Sequence, residues 1–132
     1  LNKKYLTITV IYAIFVFYLS VQPITEETPE WFPYQDKVFH VMLYAIFSFI
    51  LAIGMRQGKK QYLVKTVFYM SFVISFIYGF FIEICQIFVP TRSFEVLDIT
   101  ANSIGSILGV TVAIFSLFII SKLEIKRNIP PI

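Results

Sequence analysis

The chain has 132 residues, 58% of them hydrophobic and 14% charged, with a mean hydropathy of +0.78 and a formal net charge of +3. A soluble domain of this size cannot hide that much apolar surface, so the composition excludes an ordinary globular protein and points to one embedded in lipid. Most of the basic residues are split among three separate stretches, which excludes a nucleic-acid patch, and the single cysteine, Cys85, excludes an internal disulfide and a multi-cysteine metal site.

In chain order, the first apolar run spans about Tyr5 to Val21. It lacks a small-residue cleavage site and is long enough to stay as a helix, so it is read as a membrane span rather than a cleaved signal. An acidic connection follows, with Glu26, Glu27, Glu30 and Asp36 beside a single Lys37, and with Trp31 and Tyr34 as interfacial anchors. The second span covers about Val38 to Met55 and leads into a basic connection with Arg56, Lys59, Lys60 and Lys65. The third, about Tyr62 to Val89, is long enough to tilt and is stopped by Pro90. After a loop with Arg92, Glu95 and Asp98, the fourth span covers about Ile99 to Ser121. The tail "IKRNIPPI" reads as short and disordered.

Lipid forces each segment to close its own backbone hydrogen bonds, so helices are the natural spans. The predicted fold is all-α, a single domain over residues 1–132 built as an integral membrane bundle of four transmembrane helices. The lysines and arginines at the N-terminus, the middle connection and the C-terminal tail put both termini in the cytoplasm by the positive-inside rule.

Polar residues recur at helical spacing. Gly79, Glu83, Gln86 and Pro90 share one face of the third span, continued toward the N-terminus by Ser75 and Ser71. Asp98, Asn102, Gly105 and Gly109 repeat the pattern on the fourth, and Asp36, His40 and Tyr44 line the start of the second. Glu83 is expected roughly 10 Å below the end of its helix. His40 and Asn102 lie about one turn inside theirs, so the three stripes meet at similar depth in a polar pocket open to the outside. The small residues allow the helices to approach closely.

Each feature also has a purely structural reading. GxxxG is first a packing signal, Asp98 is suited to cap the fourth helix, and Gln86 to bond a neighbouring helix. Arg92, Asp98 and Glu83 could neutralise one another. Glu83 is hardest to assign to packing, because an ionisable group at membrane depth is costly and is by default a functional residue.

The elements "YLSVQP", "DKVFHVMLY", "GFFIEICQIFVPTR" and "DITANSIGSILG" resemble, in order and spacing, the VanZ-like membrane proteins, and together they cover most of the chain. The resemblance implies a multi-pass protein of the bacterial cytoplasmic membrane. The founding member of that family is associated with low-level resistance to the glycopeptide teicoplanin. Carried over by position, the motif residues are Asp36, Lys37, His40, Tyr44, Glu83, Gln86, Arg92, Asp98 and Asn102.

Four functions compete on these residues. The first is binding of a lipid-linked cell-wall precursor or a lipoglycopeptide, besides ordinary membrane lipids, with Lys37 and Arg92 on phosphate or carboxylate and Glu83, Gln86 and Asn102 on sugar or peptide groups. The second is catalysis on a lipid-linked phosphate or acyl substrate, with Glu83 or His40 as general base. The third is proton or ion movement through Glu83 and His40. The last is a structural hydrogen-bond network without a ligand. Binding ranks ahead of catalysis, since neither a nucleophile elbow nor an HExxH motif is present. His40, Glu83, Asp98 and Asp36 are capable metal donors, but their spacing is not diagnostic, so no metal or cofactor is assigned. The oligomeric state is left open.

Overall fold

The computed structural model describes residues 2–23, 31–58 and 62–127, with side chains through 123. It contains four helices, α1 (Lys3–Ser20), α2 (Gln35–Arg56), α3 (Val64–Gln86) and α4 (Val96–Arg127), each long and apolar enough to cross a membrane. No strand occurs among the described residues. The acidic residues Glu26, Glu27 and Glu30, the lysines Lys59 and Lys60, and the last residues of the tail lie outside the described residues.

The helices form one bundle in which consecutive helices run antiparallel, and α2 touches all three others and packs most extensively on α4, to which it lies parallel. The face α2 buries runs through His40, Tyr44, Ser48, Leu51 and Met55, with Phe47 beside it, at steps of three and four residues as a single helical stripe requires. On α3 the stripe is polar and small, with Val67, Ser71, Ser75, Gly79 and Glu83 buried at four-residue steps. The outward faces are apolar, as in Ile11, Ile14, Tyr69, Phe81, Val112 and Phe115, and this is the surface that lipid would cover.

Asn2 caps α1 by accepting from the backbone N–H of Lys4 at 3.0 Å. Its own N–H donates to Gly54 O at 3.0 Å and its Nδ2 to Gln57 O at 3.3 Å, which ties the start of α1 to the end of α2. Farther along, Tyr12 Oη donates to Leu43 O (3.2 Å) and Tyr78 Oη to Ala13 O (2.5 Å), so α1 is stitched to both α2 and α3.

Close contact between α2 and α4 depends on two glycines. A Cβ on Gly105 would overlap the Val41 backbone, and one on Gly109 would overlap the Ala45 carbonyl and Ser48 Oγ. The GxxxG pair is thus a packing device, and the touching backbones let Ser48 Oγ donate to Ser106 O at 2.9 Å.

Three boundaries differ from expectation. α3 ends at Gln86 rather than near Pro90, because the chain turns through residues 87–92 with Thr91 at φ 69, a strained conformation for a β-branched residue. Glu83 is therefore about one turn from its helix end, roughly 5 Å instead of 10, and Pro90 is off the stripe. α4 begins at Val96, so Asp98 lies in its first turn and is not its cap. At the other end α4 continues to Arg127, so Ile125 to Arg127 are helical where the sequence suggested a disordered tail.

Overpacking a tight contact costs about 1–3 kcal/mol. Gly109→Ala is expected to lower the thermal unfolding midpoint in detergent clearly, while Thr111→Ala on the exposed face leaves it unchanged; size-exclusion survival after heating measures both.

Candidate functional site

The ends of α2, α3 and α4 that meet at one end of the bundle bring the polar stripes together. α2 supplies Asp36, Lys37, His40 and Tyr44, α3 supplies Glu83 and Gln86, and α4 supplies Asp98 and Asn102. Glu83 and Tyr44 are 0% exposed, and Gln86, Asn102, Asp98 and His40 are also buried.

Lys37 is the centre of the charge arrangement. Its Nζ lies 2.6 Å from Asp36 Oδ2, 2.6 Å from Glu95 Oε2, and in direct contact with Asp98 Oδ1. Asp36 and Glu95 are half exposed and form a rim, whereas the Asp98 side chain is buried beneath them. Behind that rim, His40 Nδ1 is 2.9 Å from Asn102 Oδ1, and His40 Nε2 is 3.7 Å from Asp98 Oδ2. Since the amide oxygen only accepts, Nδ1 donates in that contact and Nε2 is the ring nitrogen beside Asp98.

Glu83 is held by the loop that follows α3. The backbone N–H of Glu95 donates to Glu83 Oε2 at 3.2 Å, and the other oxygen, Oε1, has no hydrogen-bond partner. Buried Gln86 Oε1, Asn102 Nδ2, Tyr44 Oη and Ser75 Oγ are unpartnered as well. Several of these groups crowd around Gly79. A Cβ there would come to 3.0 Å from both Asn102 Nδ2 and Tyr44 Cε1, so glycine keeps the space in which they sit.

The structure brings Asp36, Lys37, His40, Tyr44, Glu83, Asp98 and Asn102 into one neighbourhood, with two qualifications for the remaining residues. Gln86 donates from Nε2 to Ser20 O at 2.9 Å, so half of its amide joins α3 to α1 as a helix-packing bond. Arg92 donates from Nε to Gln22 O at 3.0 Å, and no ion pair joins it to Glu83 or Asp98 among the described residues. The neutralising cation is Lys37. Glu95, which pairs with Lys37 and also holds Glu83 through its N–H, was not singled out from the sequence; its only signal was an acidic residue close before Asp98. Ser75, read as a small packing residue, also presents a buried hydroxyl.

A cavity of about 590 Å³ opens at the opposite end of the bundle, lined by Arg56, Val64, Phe68, Thr111, Phe115 and Phe118, and it contains none of these site residues. Its lining is mostly apolar, and Arg56 at its edge donates from Nη1 to Tyr62 O at 2.8 Å.

A four-helix membrane bundle with carboxylate, imidazole and amide groups buried at one end defines the class as a multi-pass membrane protein with an intramembrane polar cluster. The VanZ/LLP1 family model matches residues 5–119, and the chain belongs to that family. No curated protein and no solved structure matches it.

Removing one partner of a buried ion pair costs roughly 3–5 kcal/mol because the other charge is left unpaired. Lys37→Met is therefore expected to destabilise the bundle strongly, and the double variant Lys37→Met/Asp98→Asn to recover part of the loss. Denaturant unfolding of the three proteins in the same detergent gives the comparison.

Proposed function

We propose that this VanZ-like protein resides in the bacterial cytoplasmic membrane with both termini inside, and that its polar cluster binds the head of an amphiphilic or lipid-linked envelope molecule entering from the outer leaflet. The carrying observation is the set of buried, unpartnered groups: Glu83 Oε1, Gln86 Oε1, Asn102 Nδ2 and Tyr44 Oη. Each unmade hydrogen bond at such a position costs about 1–3 kcal/mol, so a set of acceptors and donors left open at one site is a reason to expect a ligand that completes them.

The chemistry of the head follows from charge. Lys37 is surrounded by Asp36, Glu95 and Asp98, with Glu83 close behind, and Arg92 is engaged elsewhere. A cluster so rich in carboxylates disfavours a phosphate and favours hydroxyl, amide or amine groups, such as those of a sugar or peptide. The family resemblance adds reduced teicoplanin susceptibility as the cellular effect to look for. Catalysis is the second reading, favoured by the burial of His40 beside Asp98 and Glu83, groups able to exchange protons with a bound head group.

The orientation is supported by the antiparallel packing, which gathers Lys3, Lys4, Arg56 and Lys65 at one end and Asp36, Glu95 and Asp98 at the other. In a Cys85→Ser background, a membrane-impermeant maleimide added to whole cells should label Trp31→Cys and spare Gln57→Cys. The opposite pattern would invert the topology.

Binding is tested by teicoplanin susceptibility of a Gram-positive host producing the wild type or Glu83→Gln at equal membrane level, together with native mass spectrometry of lipids retained by each. Protection and a retained amphiphile are both expected for the wild type and lost in Glu83→Gln. Equal protection and equal retention by the two proteins would remove Glu83 from the function.

A further inference from the structure

We infer that His40, Glu83 and Asp98 form a binding site for one divalent first-row metal ion of the Zn2+ or Mn2+ kind. The inference rests on the same polar cluster as the proposed function, though not on any lipid being its ligand. One donor atom from each of the three side chains lies within 4.8 Å of the other two, and all three residues are buried. Contraction by roughly 0.5–1 Å per ligand would bring them to the 2.0–2.2 Å bonds of a metal with nitrogen and oxygen ligands.

Three observations separate this set from an ordinary acidic cluster. Glu83 is 0% exposed and its Oε1 has no hydrogen-bond partner. His40 Nδ1 is engaged by Asn102 Oδ1 at 2.9 Å, and Nε2 lies 3.7 Å from Asp98 Oδ2. Holding one imidazole nitrogen by an outer hydrogen bond is the usual way of aiming the other at a metal. A proton bridges two such atoms, whereas a metal ion also takes the third converging donor, from Glu83.

The third observation is how the positive charge is placed. Lys37 contacts Asp98 through Oδ1, while His40 lies beside the other oxygen, Oδ2. With three carboxylates on a single ammonium and Glu83 beside one of them, a divalent ion would bring the cluster closer to neutrality. One imidazole with two carboxylates suits Zn2+ or Mn2+ better than Mg2+ or Ca2+, which prefer oxygen alone. Three protein ligands leave coordination positions open, to which a hydroxyl or carbonyl oxygen of a bound head group could attach.

The test uses the full chain without a histidine tag, stripped with chelator in detergent and titrated with Zn2+ or Mn2+. One ion per chain is expected by elemental analysis. Because His40 is the single histidine of the sequence, pulsed electron paramagnetic resonance of bound Mn2+ should show coupling to one imidazole nitrogen in the wild-type protein, whether or not any variant folds. Affinity should fall at least tenfold in His40→Gln, Glu83→Gln and Asp98→Asn, and remain in Asp36→Asn, whose carboxylate belongs to the exposed rim. Absence of saturable binding, or binding without nitrogen coupling, would overturn the site. Should metal fail to bind while amphiphile retention still depends on Glu83, the metal is refuted and the proposed function stands. Metal binding with no Glu83-dependent retention would support the site and refute the amphiphile.

Discussion

Asp98 is a carboxylate buried in a lipid-facing bundle, and its counter-ion comes from another helix. Its contact with Lys37 is the constraint on which the rest of the structure depends. The idealised cost of desolvating a charge far exceeds what one helix contact returns, so the two helices must bring the charges into contact or leave them out of the membrane. The outer carboxylates of Asp36 and Glu95 complete the shell around the ammonium. The pair thereby sets how the first turns of α2 and α4 face each other, which in turn fixes His40 against Asn102.

That approach is possible only because the faces in contact are nearly bare. Gly105 and Gly109 let the α4 backbone rest on Val41 and Ala45, and Ser48 and Ser106 fill what remains. On α3, serines and Gly79 serve the same purpose and end at Glu83. Small residues are thus placed where the helices carry polar groups, and large apolar residues cover the outside. Helix association in lipid relies on such packing because the hydrophobic effect offers little between segments that are apolar already.

The family pattern contains two kinds of residue. Gln86 and Arg92 spend at least one donor on α1 and the segment after it, through the carbonyls of Ser20 and Gln22. These bonds hold the first helix against the site and need no ligand. Glu83, Asn102 and Tyr44 have polar atoms that the protein itself does not satisfy. A network serving packing alone would be expected to close, since membrane hydrogen bonds average only about 0.6 kcal/mol in a well-studied case and open ones are a net loss. The division places bonds between helices at the edge of the motif and unsatisfied polar atoms at its centre, with Gln86, whose Oε1 is also unpartnered, belonging to both.

Much was legible in the sequence because lipid simplifies the problem. Four apolar runs of membrane length had to be helices, and steps of three and four residues then placed Glu83, His40, Asp98 and Asn102 on inward faces at one end. Helix ends were less legible: Pro90 was an obvious stop, yet the turn closed earlier because Thr91 takes a left-handed conformation and the loop folds back to place Glu95 N–H on Glu83. Which cation answers the buried carboxylates was beyond the sequence, where Arg92 was the group read as neutralising Asp98 and Glu83. Tertiary structure decided for Lys37 because it rides on α2, the helix that the glycines of α4 admit to backbone contact, while Arg92 lies on a loop turned toward α1. Periodicity reveals which face a residue occupies, but the partner across the interface depends on the rotation and closeness of a second helix, and these exist only once the bundle is packed.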